Sequence, residues 1–193
     1  ANGRVNLAPS APSLISPPGG TTYNTSTMVF YWGWNDADSG AASAPRYQVQ
    51  IARDSSYTGL LADQAASGRD TSFRYTLSSG DSYYWRVRTM DDFETSAWSV
   101  DGKFSVDFFI PPVTLLGPEN GHETSQTFIR FAWNQAPDDL SRIAYYLLQI
   151  STSSSFDTWF LQNQTVDTNS WQTLTRSETT YYWRVKSYDQ AGN

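Results

Sequence analysis

The chain of 193 residues has no cysteine, one histidine (His122) and two lysines, Lys103 and Lys186. The missing cysteine excludes disulfides, thiolate chemistry and zinc sites of the cysteine type. With one histidine and no glycine-rich phosphate loop, a nucleophile–base pair has little to be built from. Basic side chains are scarce and dispersed: residues 11–107 hold 7 basic and 11 acidic residues, and residues 108–193 hold 5 and 8. Neither half offers a basic face, which argues against nucleic acid or an anionic membrane as partner. No apolar run approaches the roughly 18 residues that span a bilayer. The chain also opens without a signal peptide, as a mature terminus at Ala1 would after cleavage.

What is abundant is aromatic: 8 Trp, 12 Tyr and 10 Phe. Together with Ser, Thr, Asn and Gly they suit an extracellular β-protein. The clearest order in the chain is a repeat. Tyr83-Tyr84-Trp85-Arg86-Val87-Arg88 returns ninety-eight residues later as Tyr181-Tyr182-Trp183-Arg184-Val185-Lys186. Apolar and polar residues alternate after the first tyrosine, the pattern of a half-buried strand. Leu14-Ile15-Ser16-Pro17 and Leu115-Leu116-Gly117-Pro118 open the two repeats, with proline confining each to a sheet edge. Phe30-Tyr31-Trp32-Gly33-Trp34 is set against Ile129-Arg130-Phe131-Ala132-Trp133, making Trp34 and Trp133 equivalent core residues. Tyr47, Val49 and Ile51 answer Tyr146, Leu148 and Ile150. The segments Ser96–Ser99 and Lys103–Val106 read as a last strand of the first repeat. The second repeat stops short of that strand.

Short strands at this spacing, separated by turn residues, predict two β-sandwiches. The division is residues 1–10 as a linker or the tail strand of a preceding repeat, 11–107 as the first domain, and 108–193 as an incomplete second. Each half resembles a fibronectin type III domain of the bacterial or archaeal extracellular kind. The Leu-x-x-Pro opening, the tryptophan strand, Tyr47-x-Val-x-Ile with Tyr146-x-Leu-x-Ile, and Tyr-Tyr-Trp-Arg-Val carry the resemblance. It implies an all-β fold of two tandem immunoglobulin-like sandwiches, the second lacking its last strand. It also implies tyrosine corners at Tyr83 and Tyr181, with Leu77 preceding the first and Leu174 one residue further from the second. The roles it implies are spacer, adhesive surface, or accessory module beside a carbohydrate-active enzyme.

Candidate sites are few. No catalytic residue and no cofactor are expected: Asp91-Asp92 and Asp138-Asp139 are neighbours that diverge, not carboxylates facing across a cleft. Asp36 and Asp38, alternating before Gly40, are weak calcium candidates without a further acidic ligand to complete 6–8 oxygens. Asn24 and Asn163 begin N-glycosylation sequons. Tyr31, Tyr84 and Tyr182 point outward and suit either sugar stacking or cross-strand pairing. Trp98 is expected against the outer face of the Tyr83 strand, over Arg86 and Arg88. Arg4-Val5-Asn6-Leu7 aligns with Ser105-Val106-Asp107-Phe108, so Val5 and Leu7 are candidates for strand exchange with a neighbouring chain; the other expectation is that the polypeptide continues. Expected partners are proteins, copies of the chain itself, or glycans.

Overall fold

The computed structural model describes residues 8–33, 45–66, 70–109, 112–137, 140–165 and 170–193. It divides into two compact units at Phe108 and Phe109.

The first unit contains β1 (Ser13–Ser16), β2 (Thr22–Tyr23), β3 (Thr27–Gly33), β4 (Arg46–Ala52), β5 (Leu60–Ala66), β6 (Ser72–Thr76), β7 (Asp81–Met90) and β8 (Gly102–Val106). One sheet has the order β1-β3-β6 and the other β2-β8-β7-β4-β5. The opening strand β1 lies on an edge, as its closing proline requires. Pairing is antiparallel except for β2, which runs parallel to β8. Alternation then supplies the core, because successive side chains point to opposite faces. Phe30 and Trp32 of β3, Tyr47, Val49 and Ile51 of β4, Tyr83, Trp85 and Val87 of β7, and Phe104 and Val106 of β8 are all buried.

The second unit contains β9 (Leu115–Gly117), β10 (Phe128–Trp133), β11 (Ile143–Ser151), β12 (Leu161–Thr165), β13 (Ser170–Leu174) and β14 (Tyr182–Asp189). Its sheets are β9-β10-β13 and β12-β11-β14. The first repeats β1-β3-β6, and the second repeats the β5-β4-β7 part of the larger sheet.

The structure corrects one equivalence. Trp133 packs edge-on against Tyr146 at 5.7 Å, and the matching contact in the first unit is Trp32 against Tyr47 at 5.5 Å. Likewise Phe131–Trp183 at 5.2 Å repeats Phe30–Trp85 at 5.0 Å. Trp133 therefore corresponds to Trp32, while Trp34 lies outside the described residues. A slip of two positions leaves every side chain on its original face, so alternation alone does not detect it. The two residues of length difference fall in the loop after the strand, not before it.

The last strand is also shorter than the sequence suggests. Only Gly102–Val106 forms it; Ser96–Ser99 follows β7 without being a regular strand. The backbone of that segment donates from Ser96 N to Thr89 O and from Ser99 N to Val87 O, both at 2.8 Å. In return the Ser99 hydroxyl accepts from Val87 N at 3.1 Å and the Ser96 hydroxyl from Thr89 N at 3.0 Å. Serine side chains thus stand in for the carbonyls that a regular ladder would present to buried N–H groups.

Candidate functional site

Tyr83 donates its hydroxyl proton to the Ser79 carbonyl at 2.6 Å, with Leu77 buried six residues upstream. This is the expected tyrosine corner. In the second unit the Tyr181 hydroxyl instead accepts from Arg176 N at 2.9 Å. The longer Leu174–Tyr181 spacing brings an upstream N–H, not a carbonyl, to the phenol.

On the outer face of β7 the guanidinium of Arg86 lies 3.7 Å from the Tyr57 ring and 4.4 Å from Trp98; that of Arg88 lies 4.5 Å from Trp98. Trp98 is where the sequence puts it. The sequence reading missed what lies beyond. Arg86 donates twice to Gln50 Oε1, at 2.9 and 2.8 Å, and Arg88 to Gln48 Oε1 at 2.7 Å. Both glutamines donate on to Asp63. The alternation of Gln48 and Gln50 opposite Arg88 and Arg86 was the available signal.

Tyr57 reaches this ladder from a tight turn, with φ of 57°. The Asp54 carboxylate builds that turn by accepting from Ser56 N, Thr58 N and Gly59 N at 3.0, 3.1 and 2.6 Å. The Ser56 hydroxyl, then these N–H groups, hold the carboxyl well below the usual range. Burial, then a 2.9 Å bond to Asp101, pushes the Tyr57 phenol up. In the second unit Phe156 has the same turn geometry, φ 58°, and Arg184 lies 4.2 Å from its ring.

An open groove lies in the second unit. In the first, β8 closes the core along β7: Gly102 opposes Trp85, Phe104 opposes Tyr83, and Val106 opposes Asp81. Phe104 sits 5.6 Å from Phe30 and 5.7 Å from Tyr83. Gly102 is required there, since a Cβ would fall 2.1 Å from Trp85 Nε1. Among the described residues no strand flanks the corresponding edge of β14. A groove of about 1370 Å³ opens there, reaching Leu116, Ile129, Phe131, Tyr181 and Trp183. Tyr83, Trp85 and Val87 are fully buried, whereas Tyr181, Trp183 and Val185 are only partly so. Covering two or three such side chains is worth about 1.5–3 kcal/mol each.

The remaining sequence candidates fall as follows. His122 is exposed on the groove wall. Asp91 caps its own loop by accepting from Phe93 N and Glu94 N, while Asp92 turns to Arg46 at 3.4 Å. Asn24 is exposed, whereas Asn163 lies within β12 with its amide nitrogen buried. Tyr31 and Tyr182 are exposed, and Lys103 Nζ lies 5.6 Å from the Tyr84 ring. Asp36, Asp38, Asp138, Asp139, Val5 and Leu7 lie outside the described residues.

Residues 20–109 match the family model of the Rha78A-like, N-terminal immunoglobulin domain. No curated protein matches the chain. Among solved structures, the fibronectin(III)-like modules of CbhA from Clostridium thermocellum share 12% identity, over 94% of this chain and 87% of that one, with a TM-score of 0.42. The FN1-FN3 domains of chicken CNTN1 share 14% identity, over 97% of this chain and 63% of that one, with a TM-score of 0.40. The first unit is an immunoglobulin-like sandwich, and the second repeats the arrangement of its strands in two sheets.

Proposed function

We propose that the chain is a non-catalytic structural or binding segment of a larger extracellular or cell-surface protein. The observation that carries this reading is the use of both faces of the β4–β7 sheet for internal contacts. One face is core; the other carries the Tyr57–Arg86–Trp98–Arg88 ladder and its glutamines. The second unit repeats the same plan with Phe156, Arg184 and Gln149. A module whose aromatic and charged side chains satisfy one another suits a rigid repeat.

The rival reading, a carbohydrate-binding accessory module, needs outward rings free to stack on sugar. Arginine already covers Trp98 and Tyr57. Glycan-array binding with the full chain tests the choice: the expected result is no saturable signal. Saturable binding lost on replacing the exposed Tyr31 or Tyr182 would favour the accessory module.

A further inference from the structure

The second unit repeats the outer face of the first with one omission. In the first unit the arginine–glutamine ladder ends on a carboxylate, Asp63, to which Gln48 and Gln50 both donate. In the second, Arg184 donates to Gln149 Oε1 at 2.7 Å, and Gln149 donates on to Gln162 at 3.1 Å. Gln162 pairs with Gln149 as Asp63 pairs with Gln50. Among the described residues the outward positions of β11, β12 and β14 hold no carboxylate, and neither Arg184 nor Lys186 has an ion pair. Asp157, in the turn before β12, accepts from the Ser155 hydroxyl. Both cations are exposed and lean on rings: Arg184 lies 4.2 Å from Phe156, and Lys186 Nζ lies 4.5 Å from Tyr188. Tyr188 in turn stacks on Tyr145 at 4.6 Å, their planes 18° apart. In a chain of net charge −6 this is a cationic face with an aromatic platform at one end.

The complementary surface is on the first unit. After β7 the chain turns through Asp91-Asp92-Phe93-Glu94, and Phe93 is 71% exposed at its tip. The turn is held from within. Asp91 accepts from Phe93 N at 2.7 Å and Glu94 N at 2.6 Å, Asp91 N donates to Glu94 O at 3.0 Å, and Met90 bridges Thr95 below it. A large ring on a turn already ordered loses little freedom on binding, which suits it as an anchor. Asp92 and Glu94 flank the ring and are exposed. The contact of Asp92 with Arg46, 3.4 Å between two exposed side chains, is of little worth. The corresponding stretch of the second unit, Asp189-Gln190-Ala191, has no ring and no flanking carboxylate.

We infer that the Asp92-Phe93-Glu94 turn of one copy docks on the outer face of β14 in a second copy. Phe93 packs on the Tyr145–Tyr188 pair, and the two carboxylates face Lys186 and Arg184. The spacings agree: Arg184 and Lys186 stand about 7 Å apart along their strand, and Asp92 and Glu94 are likewise two residues apart. The ring supplies buried area, while the opposite charges steer the encounter and fix its orientation. The outer face of the first unit is no substitute, because Trp98 covers Arg86 and Arg88 and Asp63 already ends the ladder. Since donor and acceptor are different surfaces of one chain, the contact is head-to-tail and propagates into a ring or a filament.

The inference rests on the structural-repeat reading and names its partner. Light scattering of the full chain over a concentration series at low salt tests it, with melting of both units recorded in parallel. The expected result is concentration-dependent association, weakened at least tenfold by Phe93→Ser, by Asp92→Lys with Glu94→Lys, and by Arg184→Glu with Lys186→Glu. Mixing the two charge-reversed chains should restore association, since the intact turn of one then meets the intact face of the other. Where Arg184→Glu lowers the melting of the second unit, Lys186→Glu alone carries the reversal. Monomeric mass at every concentration overturns the docking, as do association unchanged by Phe93→Ser and a charge-reversed mixture that stays monomeric. Two folded, monomeric units would leave the repeat reading standing, whereas saturable glycan binding would remove that reading without touching the association result.

Discussion

A single tryptophan shows how much its neighbours decide. Trp32 and Trp133 occupy equivalent, fully enclosed positions, and Trp133→Ala should cost about 3–5 kcal/mol in a denaturant melt. A loss below about 1 kcal/mol would contradict the packing. Trp183 has the sequence context of Trp85 but is only partly buried, so its replacement should cost less than that of Trp85. Tyr83→Phe keeps the ring and removes a buried bond, for an expected loss near 1 kcal/mol. Titration distinguishes two further residues. The Asp54 pKa is lowered, so its contribution is present above the ordinary carboxylate range, about pH 4, and lost as pH falls through the folded value. The Tyr57 pKa is raised, so its contribution is present below about pH 10 and lost as pH rises through the folded value. Stability measured against pH should therefore lose its acid limb at this site in Asp54→Asn and its alkaline limb in Tyr57→Phe. A profile unchanged by both substitutions would contradict these assignments.

At the scale of the strand, alternation made most of the fold legible. The inward faces of β4, β7 and β11 and the outward tyrosines followed from period two alone. Register along the chain was less legible, because a two-residue slip preserves every face; contact between Trp32 and Tyr47 resolved what the pattern could not. The Ser96–Ser99 segment was hidden for a different reason. Half of its pairing to β7 runs through hydroxyls, and no backbone periodicity encodes that. Ser99→Ala leaves the buried Val87 N–H without its partner, and the first unit should lose about 1–3 kcal/mol in a thermal or denaturant melt. A neutral result would place another acceptor at that N–H. Gly102 likewise carries no mark in the sequence, where the strand reads from Lys103. Only the indole beneath it explains why a side chain there should destabilise the unit severely.

Across the whole molecule, one plan is executed twice: β8 flanks β7 in the first unit, and among the described residues no strand flanks β14 in the second. Arginine over aromatic recurs on both outer faces, at Trp98 and at Phe156, and each such contact is worth about 0.5–1 kcal/mol at an exposed site. Amide hydrogen exchange reads the serine-bridged edge of β7 directly. Val87 N–H donates to the Ser99 hydroxyl and Thr89 N–H to the Ser96 hydroxyl. In dilute solution both amides should be protected, and Ser99→Ala should speed exchange at Val87 while Thr89 stays protected. Rapid exchange of Val87 and Thr89 in the unsubstituted chain would contradict the serine-closed edge.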